Sequence, residues 1–472
     1  MHIDTYSLSG LGHLSAMVVD EGSSTAAVVD PRRDVDLYLD AARAAGLRIV
    51  AVVETHLHND YVSGARDLAA LTGATHVIGA GAELRYAHRG LTHHGTLDVG
   101  RLRFTALETP GHTPEHVAYT VTDLERPADA ASLFSGGSLL VGAVGRTDLL
   151  GAADAIPLAH AMYHSLHDVI LPLGDEVEVR PTHGAGSLCS TGIGDASTTT
   201  IGVERRTDPL LRPMEIDRFA RALLAGQPAI PRYFARMRPT NQGGPALLGG
   251  RVPIPSILDV DAFGAAIDGG AQVVDARSAS VHAAGHIPGS LSIPLDESFG
   301  TWLGWVVDLD RPVVLVVERL PDLDELMRQA IRIGRDEILG ALVGLDAWRA
   351  AGRPVEPGGR ISIEGLARAL EGGDRASRPM LIDVRQASEY AAGHVPGAWH
   401  IDAGSLPDRL ADLPGDRPIA TMCAAGFRAS IAASLLRASG FAAATWVDQG
   451  FPAWEAAGLP VETGSGIAGR PA

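Results

Sequence analysis

The spacing of apolar residues along the first 250 positions predicts alternating strands and helices. Short β-branched runs and apolar residues at every second position indicate strands, whereas apolar residues recurring every three or four positions indicate helices. Residues 200–250 follow a mostly helical pattern and end in the stretch NQGGPALLGG, which is typical of a linker. The predicted strands are 26–29, 49–53, 102–107 and 116–121, and the predicted helices are 35–45 and 63–71.

The second half of the chain contains one pattern twice. The segment VVDARSASVHAAGHIPG at 273–289 recurs as LIDVRQASEYAAGHVPG at 381–397, and GLDAWRAAGRPVE recurs later as GFPAWEAAGLPVE. Two matched pairs in the same order indicate a tandem repeat. Short β-branched runs such as 313–317 alternate with helical stretches. Each copy is therefore predicted to be an α/β domain with a mainly parallel sheet.

These patterns predict three domains, at 1–250, 251–357 and 358–472, which is the number expected for 472 residues. The net charge of −17 argues against nucleic acid and anionic membrane surfaces as partners. No apolar run approaches the roughly 18 residues that span a bilayer. The sequence does not decide whether the chain forms a homo-oligomer.

The chain has two cysteines, Cys189 and Cys423, too few for a disulfide framework. Their scarcity fits a reducing compartment. The first residues also lack the basic and apolar segments of a secretion signal, so we predict a cytoplasmic protein. Cys189 is interpreted as a small buried residue.

Histidines concentrate where predicted strands pass into loops. His56, His58 and Asp60 form an HxHxD motif, His112 lies in the turn TPGHTP, and His183 lies in THGAG. Histidines and carboxylates that converge at strand ends, next to glycine or proline, are typical of metal ligands. The motifs therefore predict a metal site in the first domain.

Cys423 opens the segment CAAGFR, which follows an apolar strand and precedes an Ala- and Leu-rich helix. A thiol at a helix N-terminus faces backbone N–H groups and the positive end of the helix dipole, which favour the thiolate. Arg428 adds positive charge. Cys423 and Arg428 are thus predicted to be catalytic. In the first copy of the repeat, Val317 aligns with Cys423, so that copy lacks a thiol.

The first 250 residues resemble the metallo-β-lactamase superfamily, and within it the persulfide dioxygenase branch related to glyoxalase II. The segments that carry this resemblance are ETHLHNDYVSGARDLA, TPGHTPEHVAY, LFSGGSLLVGAVGRTDLLG, THGAGSLC and STTTIGVERRTDPLL. CAAGFR resembles the rhodanese loop CxxGxR. The domain order resembles bacterial persulfide dioxygenase–rhodanese fusions. The resemblance implies an αββα sandwich followed by two rhodanese-like α/β domains.

In the persulfide dioxygenase branch, one Fe(II) is held by two histidines and an aspartate, which implies His56 and His112 as ligands here. Gly137 replaces the ligand aspartate, so His58 and Asp60 are the further candidate ligands, and zinc is the alternative metal. We expect Gly137→Asp to fit the loop and to raise iron occupancy.

The resemblance also implies that Arg146 binds a glutathione carboxylate, and an arginine can bind a carboxylate through two hydrogen bonds. The implied activity is oxidation of glutathione persulfide, or another low-molecular-weight persulfide, to sulfite with O2. Cys423 would then transfer sulfane sulfur between a donor such as thiosulfate and an acceptor thiol.

Two other functions stay open. One is a sulfur carrier whose N-terminal domain is metal-poor and inactive, which Gly137 favours. The other is a glyoxalase II-type thioester hydrolase, which Tyr61 disfavours because it replaces a histidine that binds the second metal of that enzyme.

Overall fold

The computed structural model describes residues 1–126, 131–372, 374 and 376–464. It divides into two compact units, of which the first comprises Met1–Pro253 and Arg328–Arg335 and the second comprises Ile254–Met327 and Asp336–Ala472. The second unit holds both copies of the repeat apart from Arg328–Arg335, and the domain boundaries at 250 and 357 stay predictions. Among the described residues, no helix combines the length and apolar character needed to cross a membrane.

The first sheet of the first unit has six strands that are neighbours in chain order. Strands one to three are antiparallel, and strands three to six are parallel. The strands are β1 (His2–Leu8), β2 (His13–Asp20), β3 (Thr25–Val29), β4 (Arg48–Val53), β5 (Thr75–Gly79) and β6 (Arg89–Leu91), and the helices between them are α1 (Asp36–Ala45) and α2 (Ala65–Thr72).

The second sheet also has six strands in chain order, and it is antiparallel except where the fourth and fifth strands pair in parallel. The strands are β7 (Thr96–Val99), β8 (Leu102–Glu108), β9 (Val117–Asp123), β10 (Ser132–Gly136), β11 (Glu178–Pro181) and β12 (Thr199–Thr200). The helices of this part are α3 (Ala152–His164), α4 (Ile201–Thr207), α5 (Ile216–Leu224) and α6 (Phe234–Gly243).

Alternating side chains place the two sheets face to face. In β2, Ala16 and Val18 pack into the core between the sheets with Phe104, whereas Met17 and Val19 pack on the other face with α1 and α2. Successive side chains of a strand point to opposite faces, so a strand buried on both faces is apolar throughout. The helices α3 and α5 cover the outer face of the second sheet. The predicted αββα sandwich is confirmed, and the predicted strands and helices lie within two residues of β3, β4, β8, β9, α1 and α2.

The first copy of the repeat forms a four-stranded parallel sheet in the order β14-β13-β15-β16. Its strands are β13 (Gln272–Asp275), β14 (Leu291–Ser292), β15 (Val313–Val317) and β16 (Gly340–Val343). The helices along this segment are α7 (Val260–Asp268), α8 (Ala279–Ala284), α9 (Phe299–Val306), α10 (Asp322–Arg332) and α11 (Asp346–Ala350).

The second copy forms a five-stranded parallel sheet in the order β17-β21-β20-β18-β19, which confirms the predicted α/β class with parallel sheets. Its strands are β17 (Gly359–Ile361), β18 (Met380–Asp383), β19 (Trp399–His400), β20 (Ile419–Met422) and β21 (Thr445–Val447). Its helices are α12 (Ile363–Glu371), α13 (Ala387–Ala392), α14 (Leu406–Arg409), α15 (Phe427–Ala438) and α16 (Phe451–Ala456).

The repeated DxR…GHxPG motif performs the same structural task in both copies. In the first, Arg277 donates to both carboxylate oxygens of Asp275 and to the carbonyl of Gly285. In the second, Arg385 donates to Asp383 and to the equivalent carbonyl. The motif thus ties the end of a strand to the following turn.

Candidate metal centre and candidate thiol site

The HxHxD motif lies in the loop between β4 and α2. Its three side chains, His56, His58 and Asp60, are all buried. The loop is held by polar groups from elsewhere in the unit: the N–H of Leu57 donates to Glu115 at 3.0 Å, and the Asn241 amide donates to the carbonyl of His58 at 2.9 Å. The motif is therefore fixed before any ligand binds.

His56 and His112 each have one ring nitrogen held and one free. The carbonyl of Arg146 accepts a hydrogen bond from His112 Nδ1 at 2.8 Å. Thr55 Oγ1 donates to Asp30 and lies 2.9 Å from His56 Nδ1, so it accepts from that nitrogen. Both histidines are thereby set in the tautomer whose Nε2 carries a lone pair, as metal-binding histidines are. Neither Nε2 has a hydrogen-bond partner among the described residues.

The same two imidazoles are neutral. Burial, and then the neighbouring histidines, lower the pKa of His56 and His112 well below the usual value. A cluster of buried neutral imidazoles with free lone pairs is the arrangement that a cation would stabilise.

His183 and Cys189 join this cluster. Donor atoms of His56, His58 and His183 lie within 4.8 Å of one another, as do those of His112, His183 and Cys189. Asp60 is held beside His183, with 3.3 Å between Oδ2 and Nδ1.

The THGAG motif contributed to the predicted metal site, but His183 was not among the residues predicted to be ligands. The prediction that Cys189 is buried agrees with the structure, yet Cys189 also lies against two candidate ligands. A cysteine in the same glycine-containing loop as His183 was the signal that could have identified both.

Gly137 occupies the position where the resemblance places the ligand aspartate. A Cβ atom on Gly137 would lie 2.3 Å from His112 Cδ2 and 2.8 Å from His112 Nε2. The His112 ring therefore fills the space that a side chain at 137 needs. The expectation that Gly137→Asp fits the loop is wrong, because His112 is held by its hydrogen bond to Arg146.

Two further residues close the site without offering a free donor. His116 has both nitrogens occupied, since Nδ1 lies 2.9 Å from Thr109 Oγ1 and Nε2 accepts from the N–H of Gly137 at 2.9 Å. Tyr61 is buried, its ring stacks on His58 with 4.4 Å between centroids, and its hydroxyl donates to the carbonyl of Asp30.

Arg146 is buried and already paired. Its guanidinium donates to both oxygens of Asp148 at 2.6 and 2.8 Å, and to the carbonyls of Leu188 and Pro228 at 3.0 and 2.8 Å. Four of its five N–H groups are thus used within the protein. Binding of a glutathione carboxylate by Arg146 stays a prediction, and it would require Asp148 to give way.

Cys423 lies at the turn between β20 and α15 and is 1% exposed. Its Sγ accepts a hydrogen bond from the N–H of Gly426 at 3.1 Å. Gly426 has a φ of +86°, and a Cβ there would lie 2.7 Å from the carbonyl of Asp448, so the turn requires glycine.

The Arg428 guanidinium forms a two-point ion pair with Glu389, at 2.6 and 2.8 Å. Burial lowers the pKa of Arg428, but the Glu389 carboxylate outweighs it, and the pKa of Arg428 is raised. Arg428 is therefore charged, and part of its charge is balanced by Glu389.

Strand register compares the two copies independently of the sequence motifs. Asp275 pairs with Val316 in the first copy, and Asp383 pairs with Met422 in the second. The residue after Met422 is Cys423, and the residue after Val316 is Val317. The first copy therefore has an aliphatic side chain at the thiol position.

Comparison with known proteins assigns both parts of the chain. The Metallo-beta-lactamase superfamily model matches residues 10–183, and the Rhodanese-like domain model matches residues 259–351 and 362–457. A crystal structure of a metallo-beta-lactamase from Staphylococcus aureus is 28% identical, with a TM-score of 0.65, and covers 72% of this chain and 98% of its own.

Two curated proteins match part of the chain. Hydroxyacylglutathione hydrolase from Dictyostelium discoideum is 28% identical over 170 residues, which are 36% of this chain and 61% of that protein. Persulfide dioxygenase ETHE1 from Bos taurus is 28% identical over 200 residues, which are 41% of this chain and 68% of that protein. The chain thus spans about three-fifths to two-thirds of the length of these relatives. The chain therefore contains a metallo-beta-lactamase domain followed by two rhodanese-like domains.

Proposed function

We propose that this protein is an enzyme of sulfur metabolism that oxidises a low-molecular-weight persulfide, such as glutathione persulfide, with O2 and transfers sulfane sulfur through Cys423. The observation that carries the proposal is that one chain combines buried, free histidine nitrogens in a metallo-beta-lactamase fold with a thiol in a rhodanese loop. The likeness to persulfide dioxygenase ETHE1 supports the persulfide as substrate.

In the first domain, His56 and His112 would hold the metal through Nε2, with His58 and Asp60 beside them. A bound iron(II) would supply a site where O2 and the persulfide are brought together. The chain's own part is to keep these two buried imidazoles neutral and oriented. The proposed reaction consumes one persulfide, one O2 and one water and gives one thiol and one sulfite.

In the last domain, the Cys423 thiolate would attack the outer sulfur of thiosulfate. A sulfur–sulfur bond forms on Cys423 and sulfite leaves with the electron pair of the broken bond. An acceptor thiol such as glutathione then takes the sulfur as its persulfide. Joining both reactions in one chain would raise the effective concentration of the shared persulfide.

A sulfur carrier with an inactive N-terminal domain is the second candidate, because Gly137 leaves the site without the family carboxylate. A glyoxalase II-type hydrolase is the third, supported by the likeness to hydroxyacylglutathione hydrolase. Against the hydrolase, Tyr61 brings a ring and a hydroxyl where the second metal would need a nitrogen.

Metal content and oxygen uptake test the first candidate. Protein reconstituted anaerobically with iron(II) is expected to hold about one iron per chain and to consume O2 only when glutathione persulfide is added. His56→Ala is expected to lower the uptake by more than roughly 100-fold, since losing a ligand should cost more than losing an outer-shell partner. Protein that binds no metal and consumes no O2 would favour the sulfur carrier, and hydrolysis of a glutathione thioester would favour the third candidate.

A second prediction concerns Glu389, which balances Arg428 beside the thiol. Glu389→Gln keeps the shape but removes the opposing charge, so an anionic donor should bind more tightly. We expect the KM for thiosulfate to fall by roughly threefold to fivefold, the scale of a partly screened charge pair, with little change in kcat. Arg428→Ala is the matched opposite and should raise the KM. An increase in KM for both variants would show that Glu389 acts only by positioning Arg428.

A further inference from the structure

We infer that Cys189 supplies the anionic metal ligand that Gly137 no longer provides, in a set with His112 and His183. The inference rests on the proposed metal-dependent function and deepens it, because it adds His183 and Cys189 to the ligands proposed there, His56 and His112. The site would then be of the histidine–thiolate type rather than the two-histidine, one-carboxylate type.

The family carboxylate has no place in this site, for a steric reason. The His112 ring lies where the side chain of residue 137 would begin, 2.3 Å from the Cβ position. A cation in this pocket must therefore take its negative charge from other groups. Near the imidazoles, the described residues include Asp30, Asp60 and Cys189, and both oxygens of Asp30 already accept hydrogen bonds from Thr55 or Thr182.

Cys189 is placed as a ligand would be. Its sulfur and one nitrogen from each of His112 and His183 lie within 4.8 Å of one another. All three side chains are buried, and Nε2 of both histidines lacks a hydrogen-bond partner among the described residues. Buried nitrogens without a partner cost stability, and a cation would satisfy both of them and take the neighbouring thiolate as a third ligand.

Arg146 holds two of these ligands at once. Its carbonyl accepts from His112 Nδ1, and its N–H donates to the carbonyl of Cys189 at 2.9 Å. Its guanidinium also binds the carbonyl of Leu188, the residue before Cys189. One buried arginine thus sets the distance between the imidazole and the thiol, which assigns Arg146 a positioning role.

The ligand type decides which metals bind. Thiolate is a soft ligand that zinc and cobalt(II) accept readily together with imidazole. Asp60 lies beside His183 and is available to orient it, as carboxylates do behind metal-binding histidines.

Cobalt(II) provides a test that does not depend on activity. The full-length apoprotein is titrated with cobalt(II), and the near-ultraviolet thiolate-to-cobalt charge-transfer band is recorded together with the visible bands of the bound ion. Wild type is expected to show both. Cys189→Ser should lose the charge-transfer band and bind cobalt more than roughly tenfold more weakly. Cys423→Ser is the matched control, since the chain has only two cysteines, and its spectrum should equal that of wild type.

X-ray absorption of zinc-loaded Cys423→Ser tests the same ligand without the Cys189→Ser variant, and so does not require that variant to fold. Cys189 is the single cysteine of that variant. We expect one sulfur neighbour at about 2.3 Å from zinc. Bound metal with no sulfur neighbour, or a charge-transfer band that survives in Cys189→Ser, overturns this inference and leaves the proposed metal function standing. Failure of wild type to bind cobalt, zinc or iron overturns both.

Discussion

Replacing Cys423 by serine is expected to abolish thiosulfate-dependent sulfur transfer to glutathione, with a fall of more than roughly 1000-fold. A serine oxygen cannot carry sulfane sulfur, and in the described part of the second unit no other cysteine is present. The turn around Cys423 would lose only the contact between its sulfur and the N–H of Gly426. The fold should therefore be retained, and the loss should appear in kcat.

The measurement has two parts. Steady-state transfer is assayed for wild type, Cys423→Ser and Cys189→Ser, and each protein is then incubated with thiosulfate and weighed by mass spectrometry. Wild type and Cys189→Ser should gain one sulfur atom and transfer it at similar rates, and Cys423→Ser should gain none. Transfer by Cys423→Ser at more than a tenth of the wild-type rate would mean that sulfur moves by another route.

Local sequence was sufficient to predict the geometry around Cys423, whose catalytic role stays a prediction. Cys423, Gly426 and Arg428 lie within six residues, between a strand and a helix, so the motif contains the geometry. Alignment of the two repeats predicted that Val317 is equivalent to Cys423, and the strand register places Val317 at that equivalent position. What the motif could not show is Glu389, which reaches Arg428 from another helix.

The candidate metal centre was harder to predict from the sequence, because its residues meet only in the tertiary structure. His56, His112 and His183 follow three different strands, and only the pairing of the sheets brings their nitrogens together. The sandwich itself was predictable, because its buried strands are apolar on both faces. The position of Cys189 beside the histidines was not predictable, because a buried cysteine is usually an inert small residue. Asp148, which pairs with Arg146, lies only two residues away in the sequence. The resemblance nevertheless implied that Arg146 binds a glutathione carboxylate.

Gly137→Asp is expected to lower both the stability of the first unit and its metal content, the reverse of what the sequence alone indicates. The new Cβ would overlap the His112 ring, and His112 can move only by breaking its bond to Arg146. Inserting atoms into a packed interior costs about 1–3 kcal/mol. For a unit of this size, that corresponds to a fall in melting temperature of roughly 3–10 °C. A displaced His112 would also be lost as a proposed metal ligand.

Gly137→Ala separates steric overlap from charge, because it adds the Cβ without the carboxylate. Thermal unfolding and metal per chain are compared for wild type, Gly137→Ala and Gly137→Asp, all reconstituted in the same way. We expect both variants to melt earlier and to hold less metal than wild type. The informative exception would be a gain of metal in Gly137→Asp with a loss in Gly137→Ala. That result would mean that His112 moves aside, that the aspartate rebuilds the family ligand set, and that steric overlap at residue 137 does not limit metal binding.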